Sequence, residues 1–503
     1  MMMKYIGLGL GPLVCLIACF EPSALVSSDV WRVVGLAAWM IIWWITEAIP
    51  IGVTSLLPIV FLSVSGVTTL RDACAPYGEP IIFLFLGGFI LALSLEKWRI
   101  HERVALYILS LTGTSANGVI FGFMSATALL SMWMSNTATT LMMLPIALSV
   151  LGLLLRGARQ DDKLSEAQER GINRFGVAMM LAVAYGANIG GSMTLIGTPP
   201  NLKLAEEINR GFPVEEAPLT FLGWLKIGVP FGIVTLLFTF LLLVWVLYPN
   251  RLGKIEGASA VINEARASLG PWSHGQRLVS FIFGCTALGW VFRKQIVEVT
   301  GLSQLSDVTI GLIGATVLFM VPSFDYTHQA SLKKTEGDTT EPSAQRGHLK
   351  PLLVWEDMRR LPWDIVLLFG GGLSLASALN RVGLIQAIGD LFSNLGSMSA
   401  TSLAVLTLIA LMLTEVMSNV ALVIVLLPVM TGVAKGLGLD PIALCAPVTL
   451  AASCAFMLPM STPPNAIVFA SGHVRISHMV KAGVVLNLVV VLWITTLVRW
   501  IYF

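Results

Sequence analysis

Long runs of apolar residues, separated by short polar segments, occupy most of the chain. A membrane-spanning helix needs about 20 mostly apolar residues. Runs of this kind lie near 5–24, 31–49, 51–67, 80–97, 221–248, 277–297, 306–322, 362–380 and 477–502. Two further apolar regions, 175–210 and 441–473, are each interrupted by Thr-Pro-Pro. Two others, 117–155 and 399–434, are too long for one crossing and are broken by Ser-Asn. Hydropathy alone leaves re-entrant hairpins and broken crossing helices both open for these two. Composition agrees with a life in lipid. Hydrophobic residues make up 56% of the 503 and charged residues 12%, whereas soluble domains carry about 25% charge. So little polar surface cannot cover a chain of this length in water.

Charge sets the direction of the crossings. With both Ser-Asn regions taken as hairpins and the N-terminus inside, the inside segments are the N-terminus, 97–103, 156–174, 249–277, 323–361 and 473–481. They hold 21 of the 31 Lys and Arg. Lys and Arg favour cytoplasmic loops, so the bias predicts eleven crossings, a cytoplasmic N-terminus and an external C-terminus. The expected fold is an all-α polytopic membrane protein with two re-entrant hairpins and two unwound helices. Residues 1–30 form a first transmembrane helix and an external loop, and 249–276 a cytoplasmic linker. The apolar run after Lys4 ends in Leu16-Ile17-Ala18-Cys19, which also reads as a signal peptide with a lipoprotein box. A first spanning helix is the simpler reading. Segment 329–350 has the composition of a disordered loop.

The two halves echo each other. Met134-Ser135-Asn136-Thr137 and Met417-Ser418-Asn419-Val420 lie 283 residues apart, as do Gly87-Gly88 and Gly370-Gly371. Thr198-Pro199-Pro200-Asn201 and Thr462-Pro463-Pro464-Asn465 follow 264 apart. Five crossings separate equivalent points, so residues 31–248 and 277–503 are expected to be inverted repeats. Paired, interrupted helices in inverted halves are the pattern of a secondary transporter with its site at the midplane.

The breaks carry the chemistry. Proline donates no backbone hydrogen bond, so Leu195, Ile196, Pro459 and Met460 are expected to keep free carbonyls. Proline also favours the first helical turn, with Thr before it as N-cap, so each helix restarts at its break. Free carbonyls at membrane depth are tolerated where they line a cavity. Ser135-Asn136-Thr137 and Ser418-Asn419-Val420 add hydroxyl and amide oxygens and further helix N-termini. Such oxygens suit a hard cation, and N-termini suit an anion. The four motifs contain no Lys or Arg, so bound cations would supply counter-charge to an anionic substrate. Glu47 and Glu415 stand out as intramembrane acids. Glu415 is open to two readings, tuning an ion site or proton relay and a buried structural acceptor. Arg99 to Arg103 begin a short amphipathic stretch that reads as an interfacial helix.

Several classes drop out. The net charge of +2 shows no field for nucleic acid, and the six cysteines contain no CxxC pair. There is no Walker loop and no GxSxG elbow, so an ATP-driven pump or a serine hydrolase has no residues to work with. A channel remains a rival reading, since the same oxygens could line a pore.

The paired Ser-Asn and Thr-Pro-Pro motifs resemble those of the divalent anion:sodium symporter family, along essentially the whole chain from Trp31. The resemblance implies hairpin tips at the Ser-Asn motifs, unwound helices at Thr-Pro-Pro, and a homodimer in the cell (inner) membrane with an elevator-like transport domain. It implies Na⁺ as coupling ion, with one site at Ser131, Ser135, Asn136 and the Gly197 carbonyl. A second Na⁺ site would use Thr414, the Met417 carbonyl, Asn419 and the Ser461 carbonyl. The carboxylates of a small dianion of the succinate, malate or fumarate class would meet Asn136, Thr137, Thr198, Asn419, Val420, Thr462 and Pro463. Val420 departs from a full Ser-Asn-Thr pair by one hydroxyl. A proton-coupled carrier or an exchanger for dicarboxylate, citrate or sulfate on the same fold stays open.

Overall fold

A computed structural model describes residues 2–20, 27–46, 48–160, 166–210, 212–213, 216–255, 257–323, 350–393 and 399–502. These residues are overwhelmingly helical. The first helices are α1 (Met2–Cys19), α2 (Ser28–Thr46), α3 (Ile51–Thr54), α4 (Leu57–Val64) and α5 (Leu70–Cys74). Then come α6 (Pro80–Lys97), α7 (Ile100–Leu111), α8 (Ala116–Ser131), α9 (Asn136–Gln160), α10 (Glu166–Ser192), α11 (Pro199–Asn209) and α12 (Phe221–Leu241). The linker contains α13 (Ala258–Ser268). The second half holds α14 (His274–Val291), α15 (Arg293–Thr300), α16 (Asp307–Met320), α17 (Trp363–Arg381), α18 (Leu384–Ser393) and α19 (Ala400–Thr414). It ends with α20 (Asn419–Gly436), α21 (Pro441–Ala452), α22 (Pro463–Ala470) and α23 (Ile476–Tyr502). A two-stranded antiparallel pairing of β1 (Pro322–Ser323) with β2 (Lys350–Pro351) brackets the segment 324–349. The disordered loop expected over 329–350 lies outside the described residues except for Lys350, which pairs in β2, and Glu47 lies outside them as well.

Among the described residues seven helical segments are long and apolar enough to cross a membrane, and the pair α14–α15, bent by 82°, makes an eighth. The eleven expected crossings comprise six of the seven, the bent pair, and four shorter apolar helices at α1, α3–α4, α16 and α21. The seventh long segment is α20, read from sequence as a hairpin arm. The protein is a multi-pass membrane protein. Two polar segments are more ordered than their composition suggests. Helices α9 and α10 run into 156–174 from both sides, and α13 occupies the middle of 249–276. All six cysteines are unpaired.

The repeat is visible element by element. Helix α6 opens 283 residues before α17, Ser131 closes α8 where Thr414 closes α19, and Asn136 opens α9 where Asn419 opens α20. Pro199 and Pro463 open α11 and α22 at the 264 offset. The glycine pairs serve close helix packing. A Cβ on Gly87 would sit 2.9 Å from the Gly311 backbone in α16, and one on Gly371 would sit 2.3 Å from the Ser55 carbonyl. Near the N-terminus, α1 lies against α2, with the Trp43 indole donating to the Gly7 carbonyl at 3.0 Å.

Candidate functional site

The first tip, 132–135, joins α8 to α9. Its sequence caps the new helix: the Ser135 hydroxyl accepts from the Ala138 N–H at 3.2 Å. The Ser131 hydroxyl donates to Asn136 Oδ1 at 2.7 Å. Helix α10 approaches this amide at a glycine, since a Cβ on Gly191 would lie 2.3 Å from Asn136 Oδ1. A Cβ on Gly197 would lie 2.5 Å from the Gly191 carbonyl and 2.9 Å from that of Ser131. Ser131, Asn136, Gly191 and Gly197 thus bring backbone and amide oxygens together around two glycines. Asn136 and Thr137 are half-buried and Ser135 is exposed.

The first break spans 193–198, between α10 and α11. Asn201, fully buried, turns its side-chain amide back onto the carbonyls of Gly191, Ser192 and Thr194 at 3.3, 3.1 and 2.7 Å. The Thr194 hydroxyl donates to the Met132 carbonyl of the tip and accepts from the Gly197 N–H at 3.0 Å. Among the described residues no donor reaches the carbonyls of Leu195 and Ile196, as the prolines require. Thr198 is buried and extended at the cap position.

The second tip and break follow the same plan. The Thr414 hydroxyl lies 2.8 Å from Asn419 Oδ1 and 2.8 Å from the Ala452 carbonyl. Asn465 donates to the Ala455 and Leu458 carbonyls at 3.0 and 3.1 Å and to the Ser461 hydroxyl at 3.2 Å. Ala455 and Leu458 are the counterparts of Gly191 and Thr194, so both asparagines tether the same two positions of their breaks. The Thr462 hydroxyl caps α22 by accepting from the Asn465 N–H at 3.4 Å, and the Ser461 hydroxyl donates to the Leu458 carbonyl at 2.6 Å. Pro463 is exposed at the first turn. Met417 and Val420 pack on an apolar cluster that includes Val33, Leu36 and Leu368, which gives the missing hydroxyl an apolar neighbourhood.

Glu415 holds the second break. Its carboxylate accepts from the N–H groups of Phe456 at 2.9 Å, Met457 at 3.0 Å and Leu458 at 3.3 Å, and from the Asn487 amide at 2.9 Å. Only 3% of the residue is exposed. Of the two readings open from sequence, the structural acceptor is the one this geometry carries. The three N–H groups bond to the carboxylate and so leave the helix. The second break accordingly runs over 453–462 and starts earlier than the first.

The halves interlock crosswise. Helix α22 packs on α9 and α10, while α11 packs on α20 and α21. Asn188, one turn before Gly191, donates to Thr462 Oγ1 at 3.1 Å and Asn465 Oδ1 at 3.4 Å, and the Tyr185 hydroxyl donates to the Phe456 carbonyl at 2.8 Å. Adjacent turns of α10 therefore meet the first tip and the second break. The Asn188 and Asn201 Oδ1 atoms are buried without a hydrogen-bond partner among the described residues. Sequence reading passed over Asn188. It also passed over a buried charge network on α11: Lys203 pairs with Glu206, and Arg210 pairs with Glu206 at 2.7 Å and Glu207 at 3.1 Å. The signal was present as four ionisable residues within 203–210 of an otherwise apolar region. This network borders a cavity of about 280 Å³, lined also by Glu79, Leu195, Arg293 and Asp307. The Ser-Asn motifs do not line it, and its acids and bases largely compensate one another.

Two helix–tip–helix units and two broken helices, knit together inside an apolar helical bundle, define a polytopic membrane transporter of the broken-helix kind. The chain belongs to the sodium:sulfate symporter family, whose transmembrane-region model matches residues 6–503. It is 37% identical over 494 residues to the sodium-dependent dicarboxylate transporter SdcS of Staphylococcus aureus strain USA300, covering 97% of this chain and 89% of that one. The protein of the same name from strain MRSA252 is 37% identical over 506 residues, covering 99% and 91%. The crystal structure of the Alcanivorax borkumensis YdaH transporter overlaps 88% of each chain at 16% identity and a TM-score of 0.46, too loose a likeness to build on. The protein is a transporter and not an enzyme.

Proposed function

We propose that the protein imports small dicarboxylates, of the succinate, malate and fumarate class, driven by Na⁺. The single observation that carries this reading is the clustering of the Asn136 amide oxygen at Gly191 and of the Gly191 and Ser131 carbonyls at Gly197, with Thr414, Asn419 and the Ala452 carbonyl clustered at the second tip. Hard cations take such oxygens. The sodium-dependent dicarboxylate transporters that this chain resembles support the choice of ion and substrate. In this reading Na⁺ binds at Ser131, Ser135, Asn136 and the Gly197 carbonyl, and at Thr414, Asn419 and the Met417 and Ser461 carbonyls. The dianion then lies between Asn136, Thr137 and Thr198 on one side and Asn419, Val420, Thr462 and Pro463 on the other. Each Asn faces both a cation and a carboxylate, so neither binds well alone and coupling follows. The crosswise interlock favours movement of both tips and both breaks as one body, in an elevator-like exchange of access within a homodimer. The N-terminus and the segments 156–174 and 323–361 face the cytoplasm of the cell (inner) membrane.

Uptake of labelled succinate into proteoliposomes tests the function. We expect accumulation with an inward Na⁺ gradient, competition by malate and fumarate, and no competition by acetate. Equal uptake under a proton gradient without Na⁺, or inhibition by acetate as strong as by succinate, would overturn it. Cysteines placed in 156–174 and 323–361 should resist an impermeant thiol reagent in intact cells, and labelling from outside would overturn the orientation.

A further inference from the structure

A groove of about 580 Å³ lies between α7, α13 and the approach to α14, lined by Arg103, Tyr107, Asn263, Arg266 and Trp272. Its position is fixed by two apolar segments. Helix α6 ends at Lys97 just before α7, and α14 begins at His274 just after Trp272. The two ends are locked together, because Gln276 donates to the Trp98 carbonyl at 2.9 Å and a Cβ on Gly275 would strike the Trp98 ring. The groove therefore sits where two hydrophobic segments surface on one face of the membrane.

Its chemistry is one-sided. Arg103 is anchored through Nε to Gln276 at 2.8 Å and through Nη2 to the carbonyls of Leu269 and Pro271 at 2.7 and 2.9 Å. Its guanidinium lies 5.2 Å from the centroid of Trp272. Among the described residues Nη1 has no acceptor. Arg266, in the last turn of α13, is exposed, and its guanidinium has no ion pair or hydrogen bond among the described residues. Among the described residues no carboxylate lines the groove; the nearby Glu102 is held by Arg99 at 2.7 Å. Burial, and in second place the neighbouring Arg99, lower the Arg103 pKa from its ordinary value. Tyr107 is 54% and Trp272 43% exposed, and Leu111, also on α7, is 66% exposed. Aromatic rings at this level, with apolar surface on one side and cations on the other, match the boundary between lipid headgroups and acyl chains.

We propose that this groove binds the phosphodiester headgroup of an anionic phospholipid, with Arg103 and Arg266 on the phosphate and Tyr107 and Trp272 against the glycerol and upper acyl chain. A free phosphate shares the headgroup chemistry, but the exposed Trp272, Tyr107 and Leu111 favour a ligand with a tail. Basic pockets beside membrane helices take anionic lipids in this way. The site stands apart from the transport site and does not depend on the substrate assigned above.

Native mass spectrometry of the full-length protein in detergent, titrated with phosphatidylglycerol, phosphatidylcholine or glycerol 3-phosphate, tests it. We expect one phosphatidylglycerol to bind more tightly than the rest, and phosphatidylcholine at the same concentration to leave that step unfilled. Arg266→Gln, at an exposed and unpaired position, should weaken the step about tenfold, the loss of one charged hydrogen bond. Arg103→Lys should do the same while keeping its charge, since lysine lacks the fork that holds several acceptors. Unchanged phosphatidylglycerol occupancy in Arg266→Gln overturns the proposal. So does displacement of the lipid by an equal concentration of glycerol 3-phosphate. A shift in the monomer–dimer ratio with no change in bound lipid overturns it too, by making the groove a contact between copies.

Discussion

The two helix breaks are built on one plan and held by different means. In both, an asparagine two residues after the first proline donates to carbonyls ten and seven positions upstream. At the first break the remaining link to the tip is neutral: Thr194 donates its hydroxyl to the Met132 carbonyl. At the second, the equivalent tip position is Glu415, and its buried carboxylate accepts three backbone N–H groups. Donor and acceptor have changed sides. A hydroxyl link leaves the neighbouring helix intact up to Ser192, whereas the carboxylate draws N–H groups out of the helix and lengthens the break. The helices beyond the breaks differ in the opposite sense. Helix α11 and the residue after it carry the network of Lys203, Glu206, Glu207 and Arg210, while the matching positions in and just past α22 are Ile467, Ala470, Ser471 and Val474. Pseudo-symmetry thus fixes where the backbone opens, and each half meets the polar cost of the opening separately.

The largest effect is expected at Glu415. Glu415→Ala leaves three buried N–H groups and the Asn487 amide without their acceptor, at about 1–3 kcal/mol for each group. Uptake should fall to background and the Tm should drop steeply, while Met132→Ala, which keeps its backbone carbonyl and loses only the packing of a half-buried side chain, should lower the Tm far less. Equal Tm values for the two variants would break the comparison. Glu415→Gln should recover part of the Tm, because one acceptor oxygen survives.

Next come Asn136→Ala and Asn419→Ala. Each should abolish Na⁺-driven uptake with the protein still folded and in the membrane. A lost hydrogen bond to a charged group is worth roughly 1.5–3 kcal/mol, about ten- to a hundredfold in affinity. In each variant the factor by which Na⁺ raises substrate affinity must equal the factor by which substrate raises Na⁺ affinity, and binding isotherms at several Na⁺ concentrations would show this shared factor shrink. Normal substrate binding with an intact Na⁺ response in Asn136→Ala would reduce the tip to a packing feature.

Asn201→Ala and Asn465→Ala sharpen the comparison at a smaller scale. Each removes a buried tether and should lower stability by about 1–3 kcal/mol. The Asn201 change should be the more damaging, since no carboxylate shares its work; a greater loss of Tm for Asn465→Ala would reverse that inference. Val420→Thr should do least. The new hydroxyl enters a half-buried apolar neighbourhood, so transport should persist with at most a shift in preference among dianions, measured by competition with succinate.

Much of this was legible in the residues. The interrupted helices and the 283 and 264 offsets rest on local properties: apolar run length, proline's missing donor and the capping preference of Ser, Thr and Asn. Ser131 and Thr414 entered only through the family resemblance. Glu415 was visible as an anomaly, yet its partners lie 41 to 72 residues away, a distance that no local pattern spans. Asn201 and Asn465 sat in plain view inside their motifs, but their tethering role depends on how the chain turns back at the break.

The sequence by itself determined that this protein crosses a membrane in helices, where those helices fail, and that the failures come in matched pairs. Each of these follows from the chain's own backbone valence and from transfer of apolar groups out of water. The tertiary structure alone decided that α22 packs on the arm of the first tip and α11 on that of the second, and that Asn188 bridges the halves. It also decided that the charges on α11 neutralise one another. A buried polar group takes whichever partner the fold brings within about 3 Å. That partner is chosen by the packing of helices far apart in the chain, and short-range pattern carries no record of it.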